Sequence, residues 1–426
     1  MKPPRFVVLA FLAALLIHLP AVAADNPVIY WNEQALNAIR LARTPPPIAS
    51  HHLAAFHAAI YDSVNGITRT HQPWQGQAAA PEGTNLDAAI ASASITVLNA
   101  LWGQAANPQN YRAAYDQALA AIPDGQPKTD GLAFGKRIAE AVLAVRASSG
   151  FNKPIEGTFS SAEPGLWRET PPGFRPPVLP HWANVTPYVL KSPDQFRAPP
   201  PPAVDSQQAA DEMEEIYRIG ARDNSERTEY QTLAAPFWAD DLGSATPPGH
   251  WNVIAQDLAR RNQLSTAESA RLFALLNLAC ADAGITIWNT KYFYRTWRPE
   301  TALRDEHLKE INPHAVAHLD FIPLMASPAF PSYISGHSTF SAAGSRILER
   351  FFRSDDIEFT VTSDGLPGAV RTFKKLSECR NEIGMSRLWG GIHVMADNVK
   401  GQEAGIKVAD YVYDNALQPT RDWTKP

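Results

Sequence analysis

Apolar positions along most of this chain recur every three or four residues, the spacing of an α-helix that buries one face. Leu53, Phe56, His57, Ile60 and Tyr61 show it within 50–65. The spacing predicts helices over 31–43 and 50–65, separated by a Pro45-Pro46-Pro47 turn, then Ala-rich amphipathic helices over 86–102, 108–122 and 131–149. It predicts further helices over 205–219, 225–238, 250–260, 266–296, 338–352, 370–383 and 393–413. Residues 356–362 alternate with period two and predict a short strand, half of a hairpin. Prolines interrupt the pattern from 164 to 204, with Trp167, Trp182, Tyr188 and Phe196 among them. Large aromatics need a surface to cover, so this stretch is expected to wrap in order over the helical body. The fold class is mainly α, a helical bundle with long proline-rich loops, and no fixed repeat stands out.

The chain has 426 residues, 45% of them hydrophobic, enough for a large core in one or two domains. The expected division is a leader over 1–24, a helical region over 25–204 and a second over 205–426, the last two packing as one body. The leader pairs Lys2 and Arg5 with an apolar run at 6–17 and the small residues Ala21-Val22-Ala23. That is a secretory signal pattern, too short for a confident membrane span, and it places the mature protein in the periplasm or outside the cell. No membrane partner is expected after cleavage. A net charge of -5 without a basic stripe argues against nucleic acid, so any anion specificity must be local. Cys280 and Cys379 could bridge or remain thiols; their apolar, helical surroundings favour buried thiols.

Three segments carry chemistry. Lys291 and Arg298 are seven positions apart, two turns of helix and within about 20° of one face, so both can reach one anion. Pro299 should end that helix, and Arg295 could add charge at its rim. Ser335-Gly336-His337 opens the helix over 338–352. A helix start offers unpaired N–H groups, Gly336 permits close backbone approach, and Ser335 adds a hydroxyl. Arg387 and His393 flank Gly390-Gly391, where the chain should turn. Asp397, one turn beyond His393, can accept one imidazole N–H and leave the other nitrogen with its lone pair.

The ordered pattern Lys-x6-Arg-Pro, Ser-Gly-His and Ser-Arg-x3-Gly-x-His-x3-Asp, spanning Trp288 to Asp397, resembles the vanadium-dependent haloperoxidase and type-2 acid phosphatase superfamily. Looser similarity to bacterial secreted members covers most of the mature chain, including Trp31, Tyr61-Asp62 and 237–251. The resemblance implies vanadate as cofactor, with phosphate able to replace it. His393 is the implied vanadium ligand. Lys291, Arg298, Ser335, Gly336 and Arg387 would hold the equatorial oxygens, and His337 would be the acid–base. Ile334 departs from the pattern, standing where many members have proline.

The same cradle serves two reactions. In the oxidative one, hydrogen peroxide oxidises a halide, iodide or bromide more readily than chloride, with Lys291 polarising the peroxide and a small organic molecule as possible acceptor. In the hydrolytic one, a secreted acid phosphatase works through a phosphohistidine at His393. Trp288 and Phe330, matching aromatic positions on the halide side of haloperoxidases, favour oxidation. A non-catalytic oxyanion-binding protein is the third reading. Tyr230 and Trp238 are candidate halide-tuning residues. Oligomeric state is open.

Overall fold

The computed structural model describes residues 26–76 and 79–420; the expected leader lies outside them. Fourteen α-helices occur among the described residues. The first five are α1 (Pro27–Ala42), α2 (Pro46–Thr68), α3 (Leu86–Leu101), α4 (Pro108–Ala120) and α5 (Gln126–Ala147). After the proline-rich stretch come α6 (Gln207–Gly220), α7 (Glu229–Phe237), α8 (Thr246–Arg261), α9 (Thr266–Tyr294), α10 (Pro299–Leu303) and α11 (Leu308–Ile311). The last are α12 (Gly336–Phe352), α13 (Leu376–Trp389) and α14 (Met395–Asn415). Between α12 and α13, β1 (Phe359–Thr362) and β2 (Val370–Phe373) form an antiparallel hairpin, Phe359 opposite Phe373 and Thr362 opposite Val370.

The 29-residue helix α9 organises the rest. A capping box starts it: the Ser265 side chain accepts from the Glu268 N–H, and the Glu268 carboxylate accepts from the Ser265 N–H. It is apolar on every side, which by length and composition would let it cross a membrane. Instead 94% of its most apolar stretch is buried inside the protein. Helices α2, α12 and α14 pack around it, and α3 and α5 pack together over α2. One apolar cluster runs from Val28 to Leu417 and draws on both halves of the chain. Cys280 and Cys379 are unbridged and buried, and burial pushes the Cys280 thiol up to about 12.

The proline-rich stretch is an ordered strap. Trp167 and Trp182 are fully buried. Asp282 of α9 accepts three consecutive strap amides, from Tyr188 at 2.6 Å, Val189 at 2.8 Å and Leu190 at 2.9 Å. Arg146 donates to the carbonyls of Thr186 and Pro187, and its guanidinium lies 3.7 Å from the centre of the Tyr188 ring.

Four sequence expectations need correction. Pro46 and Pro47 begin α2, because proline suits a first turn whose N–H groups have no partner anyway. Residues 370–373 are strand, and the helix expected from 370 starts at Leu376; the exposed edge of a hairpin carries no helical stripe for periodicity to detect. Helix α9 stops at Tyr294 with Arg295 in the left-handed region (φ 51°), so Arg298 does not share its face. His393 lies before α14, and only Asp397 is helical.

Candidate oxyanion site

The loop between α11 and α12 is the frame on which the site is hung. Ala329, Tyr333 and Ile334 bury their side chains, and backbone hydrogen bonds fix the chain between them. Leu324 donates to Gly220, Met325 to Gly390 at 3.0 Å, Ser332 to Thr296 at 2.9 Å and Ser335 to Asp397 at 3.0 Å. Three consecutive carbonyls of this loop then receive the cations. Lys291 Nζ donates to Pro331 and Ser332, both at 2.7 Å, and Arg298 Nε donates to Phe330 at 2.9 Å. The left-handed residue Arg295 turns the chain after α9 and delivers Arg298 to the N-terminal end of α10, so the two cations meet through a turn and a shared loop. Among the described residues, the Arg295 side chain makes no hydrogen bond or ion pair to the site side chains.

His393 faces them. Its Nδ1 is 2.7 Å from Asp397 Oδ2, and its Nε2 is 3.2 Å from Arg298 Nη1. Arginine cannot accept, so Nε2 carries the lone pair and Nδ1 the proton. Asp397 also accepts from Ser332 Oγ at 2.6 Å and from the Val394 N–H at 3.4 Å. The Gly390-Gly391 turn brings His393 here. Gly391 has φ +76°, and a Cβ on it would lie 2.4 Å from the Gly220 carbonyl oxygen, so only glycine fits.

Arg387, from the last turn of α13, donates from Nη1 to the Trp238 carbonyl at 3.3 Å. Next to it, His337 Nε2 is 3.2 Å from the Ala239 carbonyl, which requires the proton on Nε2 and leaves Nδ1 able to accept one. Ser335 caps α12 and, like Lys291 and Arg298, is fully buried. The segment bearing the two carbonyls is itself fixed: Trp238 Nε1 donates to Glu382 at 2.8 Å, and Asp240 pairs with His250 at 3.1 Å.

Burial and mutual repulsion set the protonation of the group. Burial holds Lys291 well below its usual range, and Arg298 adds to this, while Asp397 opposes it. Burial lowers Arg298 to about 9 and Arg387 to about 10. His393 is pushed well below the ordinary imidazole value by burial, then by Arg298, Lys291 and Arg387; His337 by burial, then by Arg387. Both imidazoles are thus neutral at physiological pH. Burial pushes Asp397 up, and the Ser332 hydroxyl and the nearby cations pull it back.

This donor set fits a tetrahedral oxyanion. Arg298 Nη2 and Arg387 Nε are buried with no partner among the described residues, and Lys291 has used two of its three protons. A Cβ on Gly336 would touch nothing closer than 3.9 Å, so the backbone there is open to approach. A cavity of about 670 Å³ leads to the site, with Phe330, Met325, His337 and Arg387 in its wall.

A family model described as the second helical-bundle domain of VCPO matches residues 271–422, which hold every site side chain named so far except those of 237–250. The structure superposes on the first bacterial vanadium-dependent iodoperoxidase with a TM-score of 0.80 at 26% identity, covering 93% of this chain and 98% of that one. The chain's second half thus resembles the vanadium haloperoxidases in sequence, and nearly the whole chain resembles them in fold. A curated member, the vanadium chloroperoxidase of Curvularia inaequalis, is 25% identical over 402 residues, covering 77% of this chain and 66% of that one, so the chain spans about two thirds of its length. A bacterial vanadium-dependent chloroperoxidase shares the fold, with a TM-score of 0.72 at 17% identity over 92% of this chain and 97% of that one.

Around the cavity end the structure gathers Lys291, Arg298, Ser335, Gly336, His337, Arg387, His393 and Asp397. It separates the two wall aromatics. Phe330 lines the cavity, its ring centre 5.0 Å from Lys291 Nζ. Trp288 stands behind it at 5.1 Å between ring centres, is nearly buried and donates to the Val178 carbonyl of the strap, so it backs the wall without forming it. Trp238 offers its carbonyl, not its ring, and Tyr230 lies exposed over Arg371. Sequence reasoning missed Ser332 and the carbonyls of Trp238 and Ala239. Ser332 had a signal, a polar residue directly after Phe330-Pro331; backbone carbonyls leave none.

Proposed function

We propose that this protein is a vanadate-dependent haloperoxidase that uses hydrogen peroxide to oxidise iodide or bromide. The observation that carries the reading is the fixed tautomer of His393: a buried, neutral imidazole with its lone pair at Nε2, set among three cations. That is the form in which histidine binds a metal centre. His393 would hold vanadate through Nε2, and Lys291, Arg298, Arg387, Ser335 and the Gly336 N–H would neutralise its oxygens. When bound, vanadate supplies a Lewis acid that makes peroxide electrophilic toward halide.

The chain's own residues do the rest. Asp397 keeps the proton on His393 Nδ1. His337, neutral and with Nδ1 able to accept, takes the proton that peroxide must lose. Lys291, with one N–H left over from its two carbonyl partners, would donate it to the ligand and polarise the oxidant. Phe330, backed by Trp288, presents an apolar wall that suits a large soft halide and keeps water away. Iodide and bromide give up electrons more easily than chloride. The leader-like N-terminus supports export, where a reactive oxidant does less harm to the cell.

A phosphohistidine phosphatase uses the same lone pair as nucleophile and is the second reading. Purified protein freed of oxyanions is divided, half is loaded with vanadate, and both halves are assayed for bromide and iodide oxidation by peroxide and for phosphate-ester hydrolysis. Halide turnover confined to the vanadate half supports the proposal. Ester hydrolysis by the metal-free half, with no halide turnover in the other, replaces it with the phosphatase.

A further inference from the structure

We propose that Met325 is a modification site: the oxidant made at the oxyanion site converts it to methionine sulfoxide, and the sulfoxide weakens the site through Arg387. The proposal rests on the haloperoxidase reading. Met325 lines the cavity with His337, Phe330 and Arg387, and is partly exposed there. Its sulfur lies 3.8 Å from Arg387 Nη1. Its N–H is bonded to the Gly390 carbonyl at 3.0 Å, which fixes the backbone. A Cβ on Gly390 would come within 2.9 Å of the sulfur, so the glycine turn that delivers His393 also makes room for the thioether.

Hypohalous acid released at the site leaves through this cavity and meets a soft, polarisable nucleophile. The sulfur lone pair attacks the halogen and hydroxide departs. Water then displaces halide from sulfur and loses its protons, one of them neutralising the hydroxide. The sulfur gains one oxygen and loses the two electrons that the halogen gains; halide and one proton are returned. A sulfoxide oxygen is a far stronger acceptor than a thioether. Facing Arg387, it takes a charge-assisted hydrogen bond that competes with the oxyanion. Turnover then limits itself, reversibly, because sulfoxide reductases restore methionine.

Met213, Met385 and Met395 are also partly buried but lie away from this cavity, so they serve as internal standards. Vanadate-loaded protein is run with peroxide plus bromide, and separately plus iodide, then digested and each methionine peptide weighed for the gain of one oxygen, about 16 Da. Parallel samples omit halide or vanadate. The expected result is oxidation at Met325 ahead of the other three, only where halide and vanadate are both present. Tungstate affinity, measured afterwards, should fall in the wild type, recover with sulfoxide reductase, and stay constant in Met325→Leu. Oxidation spread evenly over the four, or an unmodified Met325 while halide turnover proceeds, overturns the proposal and leaves the haloperoxidase reading standing. Absence of halide oxidation removes that reading, and this proposal with it.

Discussion

At the scale of single residues, the site is a problem in charge. Lys291, Arg298 and Arg387 are gathered where water screens them little, and burial first, then these charges, keep His393 and His337 neutral. His337→Ala removes the proposed proton carrier and keeps every cation, so kcat should fall roughly 10²–10⁴-fold while anion affinity survives. Steady-state kinetics beside a tungstate titration separates the two; unchanged turnover would show that another group moves the proton. Asp397→Asn can no longer insist on a proton at Nδ1, and vanadate affinity should weaken about 10–100-fold, as equilibrium dialysis would report. The pH dependence follows from the same crowding. Without an anion, Lys291 is held below its usual range and Arg298 near 9; a bound anion raises both, so binding takes up protons. Affinity must therefore fall as pH rises, most steeply above about 9. Tungstate, whose own charge does not change across the neutral and alkaline range, is the suitable probe. An affinity flat with pH in the wild type would mean that these cations do not hold the ligand.

At the scale of elements, two kinds of junction build the site, and they differ in how much the sequence discloses. The helices α9, α12 and α14 were legible from periodicity, α13 only in its middle, and the Gly390-Gly391 break from composition. Gly391→Ala forces a Cβ against the Gly220 carbonyl at a positive φ, and should cost roughly 1–3 kcal/mol or more. A chemical denaturation midpoint measures it, and a midpoint equal to wild type would mean the turn can relax. The convergence of Lys291 and Arg298 was read correctly, although for a reason the structure corrects. Seven residues suggested one helical face, yet the helix ends between them and a left-handed Arg295 makes the turn. Arginine carries no composition signal for that conformation, in contrast to glycine. Strand β2 was hidden for a related reason: its side chains are mostly exposed, so no buried stripe marks them. The carbonyls that hold Arg387 and His337 belong to the loop after α7, whose sequence cannot say where a peptide plane points.

At the scale of the whole molecule, the strap over α9 is what keeps the long loops in place. Asp282 takes three of its amides into a buried carboxylate. Asp282→Ala leaves those donors without partners, each costing about 1–3 kcal/mol, and should expose 186–190 to limited proteolysis before the helices unfold. A digest in which the strap is cut no earlier than the core would show that the tryptophans alone secure it. The strap also supplies the Val178 carbonyl that steadies Trp288 behind the cavity wall, so loss of Asp282 should reach the chemistry from a distance. The clustered cations have a last consequence, for how long this protein lasts. A bundle that folds three like charges into its interior stores repulsion, and any oxyanion that settles there discharges it. Such a guest acts as a structural counter-ion before it acts as a catalyst. Endurance against heat and proteases would then follow the oxyanion content of the surroundings, and surroundings poor in both phosphate and vanadate would shorten the protein's life.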